Sequence, residues 1–288
     1  MLKYSRIIAG TMTWGKWGKQ HSTTEMISLM NHCLEYNITT FDHADIYGDY
    51  TNEEDFGKAF KKSAIKREDI QLISKCGIQF DVKERSNRVK HYDYDKDYIV
   101  SSVERSLKML QTDHLDMLLL HRPSPLMNPS EIAEAIDILK NDGKIRQFGV
   151  SNFTPSQIQL IEKEIQVEAN QVEFSLSSNT VMNDGTLDDC ITFDRLAMSW
   201  SPLGNYFREE SKANTRIKKV LVDFSKKYDV TEDQLLLAWI LKHPSNIHPV
   251  VGTATPKRLK LAMDAVSIDM DVQDWFILLE ANEGHEVA

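Results

Sequence analysis

Four side chains in the first half of the chain, Asp42, Tyr47, Lys75 and His121, are of the types needed to place a proton on a carbonyl oxygen. A free phenol ionises near pH 10, too high for efficient proton transfer at neutral pH. A neighbouring ammonium stabilises the phenolate and lowers that value, and a carboxylate can hold the ammonium in place. A histidine beside them can orient a carbonyl by hydrogen bonding. The set can protonate a carbonyl as hydride arrives, and the hydride has to come from a cofactor because no side chain supplies one. Each residue also has a plain structural reading: Asp42 as a strand-end cap, Tyr47 as a half-buried loop tyrosine, Lys75 as a surface lysine, His121 as a satisfied barrel-end histidine. Their joint occurrence at strand ends favours chemistry. His43, Asp45 and His121 raise a metal site, but their spacing matches no familiar ligand motif, so no metal is expected.

The elements that must position these residues are legible as alternating β and α segments. Eight apolar or β-branched runs read as strands: Arg6–Gly10, Thr39–Asp42, Ile70–Ser74, Met117–Leu120, Gln147–Val150, Val167–Val172, Arg195–Trp200 and His248–Val251. Helical stretches follow them. Ser22 with Glu25, Thr154-Pro155 with Gln157, Thr231 with Gln234, and Thr255-Pro256 mark helix starts. Ser130 is a further candidate cap, and Gly143 sits where a C-terminal glycine belongs. A last helix spans about Val272 to Ala281. Parallel strands need crossovers, so eight β-then-α units predict a (β/α)8 TIM barrel over residues 1–288 as a single domain. An open doubly wound sheet is the alternative, but Gly10 to Gly15 reads GTMTWG, too bulky to hug a pyrophosphate. Three polar insertions, Phe80–Lys96, Ser175–Gly185 and Leu203–Arg216, follow strands and should lie on the C-terminal rim. The run Lys83-Glu84-Arg85, with Arg88 and Lys90, reads as a solvated loop.

Composition bounds the rest. The 288 residues hold 34 basic and 43 acidic side chains, net −9 at neutral pH, with 41% hydrophobic and 27% charged residues. That is an ordinary globular composition, and its acidity argues against a general nucleic-acid binder. The longest apolar run, Leu235 to Leu241, has seven residues, whereas a membrane span needs about 20. Cys33, Cys76 and Cys190 are odd in number and widely spaced, so reduced thiols in a cytoplasmic protein are expected. Met1 to Ile8 lacks the apolar stretch of a signal peptide.

The ordered motifs Phe41-Asp42-His43-Ala44-Asp45-Ile46-Tyr47-Gly48, Ser74-Lys75, Leu118-Leu119-Leu120-His121-Arg122-Pro123, Gly143-Lys144-Ile145-Arg146 with Gly149-Val150-Ser151-Asn152-Phe153, Asn170-Gln171-Val172-Glu173 and Trp200-Ser201-Pro202-Leu203-Gly204 resemble the aldo/keto reductase superfamily, above all its stand-alone bacterial members. The resemblance implies a barrel that binds NADPH without a dinucleotide-binding domain. It implies Tyr47 as general acid, Lys75 and Asp42 as its tuning pair and His121 as carbonyl orienter. It further implies Ser151, Asn152 and Gln171 on the nicotinamide carboxamide, Trp200 stacked on the ring, and Ser201 and Leu203 along the pyrophosphate. Trp14 would line the substrate pocket.

At the adenosine end, Gly252, Thr253 and Arg258 align with the segment that grips the 2′-phosphate. Gly252 stands where reductases often have lysine, and Leu261 and Ala262 replace the residues that hold the adenine. Only about five residues precede the first strand, too few for the family's floor hairpin, so the floor is expected to be open or covered by another chain. The short C-terminus implies an accessible pocket. The implied partner is a small-molecule carbonyl. Two other functions compete: a cofactor-binding sensor or regulatory subunit, and a lyase forming a Schiff base on Lys75.

Overall fold

The computed structural model describes residues 4–82 and 85–288. Met1–Lys3, Lys83 and Glu84, and with them part of the expected basic loop, lie outside the described residues. Among the described residues ten strands form in chain order: β1 Ile8–Gly10, β2 Thr40–Asp42, β3 Gln71–Cys76, β4 Ile78–Gln79, β5 His91–Tyr92, β6 Leu115–Leu120, β7 Ile145–Ser151, β8 Ala169–Glu173, β9 Leu196–Trp200 and β10 His248–Val251. Eight of them close a parallel barrel in the order β1-β10-β9-β8-β7-β6-β3-β2, and β4 and β5 pair as a separate antiparallel ribbon. The first rim insertion is therefore partly structured: the chain leaves β3, and His91–Tyr92 returns to pair with Ile78–Gln79.

Side chains alternate across each strand, and that alternation separates two cores. Ile8, Ile73, Met117, Leu119, Ala169, Met198 and Val250 fill the barrel interior. Leu72, Leu118, Leu120, Phe148 and Val150 face outward and join the layer beneath the helices. A residue two places beyond an interior one points inward again, one layer higher. Lys75 follows Ile73, His121 follows Leu119, Gln171 follows Ala169 and Trp200 follows Met198 at this spacing. Period two in the strands thus carries four of the expected site residues to the same rim.

Helix ends follow the capping chemistry in the sequence. Ser22 with Glu25, and Thr154 with Gln157, form reciprocal boxes, as do Thr231 and Gln234. One start differs: the helix Pro129–Asn141 is capped by Asn128, whose side chain accepts from the Ser130 amide, so Ser130 lies inside the first turn. Asn128 can cap because proline at the next position needs no partner for a missing N–H.

Among the described residues no strand precedes Ile8, so no hairpin covers the barrel floor there. The Tyr4 ring packs with the interior core, and its hydroxyl donates to Gln147 Oε1 at 2.7 Å. Burial pushes the Tyr4 phenol far above its ordinary value, with Asp116 adding to the shift, so the hydroxyl stays a donor. No described helix is long and apolar enough to cross a membrane.

Candidate active site

The C-terminal rim gathers the proton-transfer residues around one ammonium. Lys75 is 1% exposed, and its Nζ donates to Asp42 Oδ2 at 2.8 Å, His43 O at 2.8 Å and Tyr47 Oη at 3.1 Å. All three hydrogens of the ammonium are committed. Burial works against the Lys75 charge, but Asp42 and then Tyr47 outweigh it and raise its pKa. The lysine is an ammonium, with no lone pair to attack a carbonyl. For Tyr47, burial is the largest influence and pushes the phenol above its ordinary value; Lys75 pulls the other way. The lowering expected from the ammonium is thus outweighed by desolvation, and the phenol remains protonated.

Tyr47 meets the His121 ring edge-on, with centroids 5.9 Å apart. Burial, followed by the charges of Lys75, Arg122 and Lys90, holds His121 well below its usual value, so the imidazole is neutral with one N–H to donate. Its Nδ1 has no partner among the described residues. His43 is wholly buried behind Asp42. Thr11 Oγ1 donates to Asp42 O at 3.0 Å, so its 2.9 Å contact with His43 Nδ1 is donated by the imidazole. Burial, then Lys75, lowers His43 to about 3, which makes it a neutral wedge behind the pair.

The residues expected around a nicotinamide are brought together, but largely through bonds to one another. Ser151 Oγ donates to Gln171 O at 2.8 Å and accepts from Asn152 Nδ2 at 2.8 Å. Trp200 Nε1 donates to Asn152 Oδ1 at 2.9 Å, which fixes the indole edge. Asn152 follows β7 at φ 63°, a left-handed conformation that asparagine tolerates. Gln171 donates through Nε2 to Asp42 Oδ1 at 2.9 Å. Ser151 therefore has no hydroxyl hydrogen left to offer, while Gln171 Oε1 makes no hydrogen bond among the described residues.

The remaining expected positions are half-buried or exposed on the same rim. Trp200 keeps a half-buried face, Ser201 and Leu203 are half-buried, and Gly204 turns at φ 55° where a Cβ would meet Ser177 Oγ at 2.0 Å. Arg258 is exposed in the first turn of the helix Pro256–Asp264, near half-buried Thr253 and exposed Gly252. A helix N-terminus and a cation suit a phosphate.

Trp14 does not line the pocket. It is 1% exposed and packs between Phe41 and Phe56 on the outer side of β2. Trp17, three residues on, stands 6.1 Å from the Tyr47 ring and 5.9 Å from Phe80. Sequence reasoning passed over Trp17 and Arg122. The signals were present, a second tryptophan in Trp14-Gly15-Lys16-Trp17 and an arginine next to His121, but choosing between the tryptophans requires the loop's path.

A parallel barrel with a buried ion pair and a protonated phenol on its C-terminal rim defines a barrel enzyme equipped for proton transfer. The chain belongs to the aldo/keto reductase family, whose model matches residues 6–283. It is similar to the uncharacterised oxidoreductase YcsN of Bacillus subtilis strain 168, at 40% identity over 99% of this chain and 97% of the relative. A 6-dehydroglucose reductase of Agrobacterium fabrum strain C58 is 37% identical over 100% of this chain and 97% of the relative. Among solved structures, the thermostable aldo-keto reductase Tm1743, crystallised with the inhibitor epalrestat, superposes with a TM-score of 0.81 at 26% identity, covering 96% of this chain and 94% of that one. An aldo/keto reductase from Klebsiella pneumoniae in complex with NADP and acetate gives 0.78 at 24% identity, covering 96% and 90%. This chain is an oxidoreductase of that family.

Proposed function

We propose that the protein reduces an aldehyde or ketone with NADPH, with Tyr47 as the general acid. The observation that carries this reading is the Lys75 ammonium bonded at once to Asp42 and Tyr47. When bound, NADPH supplies the hydride that reduces the carbonyl carbon. Tyr47 gives its proton to the carbonyl oxygen, so that an alcohol results. Lys75 stabilises the phenolate left behind, and Asp42 holds Lys75 in line. His121, neutral, donates to the same carbonyl oxygen and sets its direction. Ser151, Asn152, Gln171 and Trp200 would hold the nicotinamide, Ser201 and Leu203 the pyrophosphate, and Gly252, Thr253 and Arg258 the 2′-phosphate.

The naming of the Agrobacterium relative as a 6-dehydroglucose reductase supports a carbonyl substrate. The committed ammonium of Lys75 speaks against a Schiff-base lyase. The complete proton-transfer set gives no reason to favour a sensor that binds cofactor without turnover.

The test is NADPH oxidation with a panel of carbonyls, comparing wild type with Tyr47→Phe. The expected loss is about 10²- to 10⁴-fold in kcat, with NADPH binding retained. Equal turnover in the two proteins would remove Tyr47 as the acid.

A further inference from the structure

Arg122 and Lys90 belong to the rim segments that flank the proton-transfer set, and among the described residues no acidic side chain pairs with either. Arg122 directly follows His121, and its guanidinium lies 5.3 Å from the centroid of the Trp200 ring. Lys90, on the loop between β4 and β5, lies 5.3 Å from the Phe80 ring. Among the described residues neither side chain makes a hydrogen bond or ion pair. The charges of both reach His121, and that of Arg122 also reaches Tyr47. In a chain of net charge −9, two cations that pair with no acid among the described residues run against the bulk charge.

The backbone holds Arg122 in this place. Tyr94 Oη donates to Arg122 O at 2.5 Å and accepts from Arg122 N at 3.1 Å. The Tyr94 ring lies over Gly77, at φ +111°, where a Cβ would come within 2.0 Å of it. An arginine whose backbone is fixed and whose guanidinium is unpaired is prepared for a ligand anion.

Arg122 borders the nicotinamide end through Trp200 but stems from a different strand end than the residues suited to the cofactor's phosphates. The residues suited to the cofactor run from the ends of β7, β8 and β9 to the helix after β10. Arg122 and Lys90 belong to the end of β6 and the ribbon after β3, the side that carries His121 and Lys75. We propose that the substrate carbonyl compound is a carboxylate, its anionic end held by Arg122 with Lys90 and its carbonyl oxygen directed to Tyr47 and His121. This rests on the reductase reading above and narrows its substrate class.

The test compares kcat/KM for 4-oxobutanoate and its neutral counterpart butanal, with NADPH, in wild type, Arg122→Gln and Arg122→Lys. The wild type is expected to prefer the anion. The anion-to-neutral ratio is expected to fall about tenfold or more in Arg122→Gln, to be partly kept in Arg122→Lys, and to shrink as salt is raised. A wild type that prefers butanal, or a ratio that Arg122→Gln leaves in place, overturns the proposal while the reductase reading stands. Turnover of no carbonyl overturns the reductase reading instead. Calorimetric titration with succinate then decides the anion site by itself: binding lost in Arg122→Gln supports it, and no binding to the wild type overturns it.

Discussion

Gln171 Nε2 lies 2.9 Å from Asp42 Oδ1, while the other oxygen of the same carboxylate accepts from Lys75 at 2.8 Å. The two contacts join β8 to β2 and β3 across the barrel mouth. Asp42 is thereby held from two directions, and the residue suited to contact the cofactor is the same one that steadies the ion pair.

Replacing Gln171 with Leu removes that donor and leaves a carboxylate oxygen buried without its partner. Gln171 is 2% exposed, so water is a poor substitute. The expected cost is about 1–3 kcal/mol of stability, together with a lower kcat because Lys75 is less well fixed. Urea unfolding and steady-state kinetics measure the two effects. A Gln171→Leu protein that unfolds like wild type would show that this contact carries no weight.

The pH dependence of reduction follows from the two rings at the rim. Tyr47 is held above its ordinary 10.0 by burial, against the pull of Lys75, and His121 is held well below 6.5 by burial and the nearby cations. The acid is active while protonated, so its contribution is lost only as pH rises beyond the ordinary phenol range. The orienting imidazole stays neutral throughout the neutral range. The expected kcat/KM for reduction is flat across neutral pH and falls only on the far alkaline side. A fall with its midpoint near neutrality would move the acid role from Tyr47 to another group.

The barrel and the proton-transfer set were legible because both rest on short-range regularities. Period-two alternation fixes which strand residues face inward, and Asp42, Lys75, His121 and Gln171 all lie at inward positions of strand ends. The missing floor hairpin was legible from the short lead-in to β1, but the packing of Tyr4 against the interior core was not, because its contacts with Asp116 and Gln147 span more than a hundred residues. Trp14 was expected at the pocket and Trp17 was passed over because both sit in one loop, and only its turn decides which ring reaches Tyr47. Gln171 was expected at the site but not as a partner of Asp42, because that contact joins strands distant in sequence, whereas the Ser151–Asn152 bond is between neighbours whose orientation depends on the left-handed turn at Asn152.

Gly252 offers a gain rather than a loss. A Cβ built there meets no atom within 4 Å, and its φ lies outside the left-handed range that would strain a side chain. Gly252→Lys would add a cation near Thr253 and Arg258, at the site suited to a 2′-phosphate. The expected result is NADPH binding about two- to fivefold tighter at low salt, with NADH unchanged and the gain lost at high salt. Cofactor fluorescence titration measures it. Equal tightening for NADH and NADPH would place the 2′-phosphate elsewhere.

Glu53 provides a stability measurement independent of catalysis. It is buried in the helix Asn52–Lys62, and its Oε1 accepts from Ser74 Oγ at 2.6 Å. Burial raises it to about 7, against the pull of Ser74, with Asp45 adding to the rise; Asp45 itself is raised by burial to about 6. The folded value of Glu53 thus lies above its unfolded 4.5, the reverse of a salt-bridged carboxylate. Between those values the folded state holds the extra proton, so stability falls as pH rises. Its contribution is fully present below 4.5 and lost as pH rises through about 7. A neutral glutamine escapes that loss. Glu53→Gln should therefore be more stable than wild type at pH 8 by roughly 3 kcal/mol, with the gain shrinking towards pH 5. Comparing the two proteins cancels the opposite slope from His43 and His121, whose depressed values favour stability as pH rises towards 6.5. Urea midpoints at the two pH values suffice, and a difference that does not change with pH would mean that Glu53 is ionised in the folded protein at both.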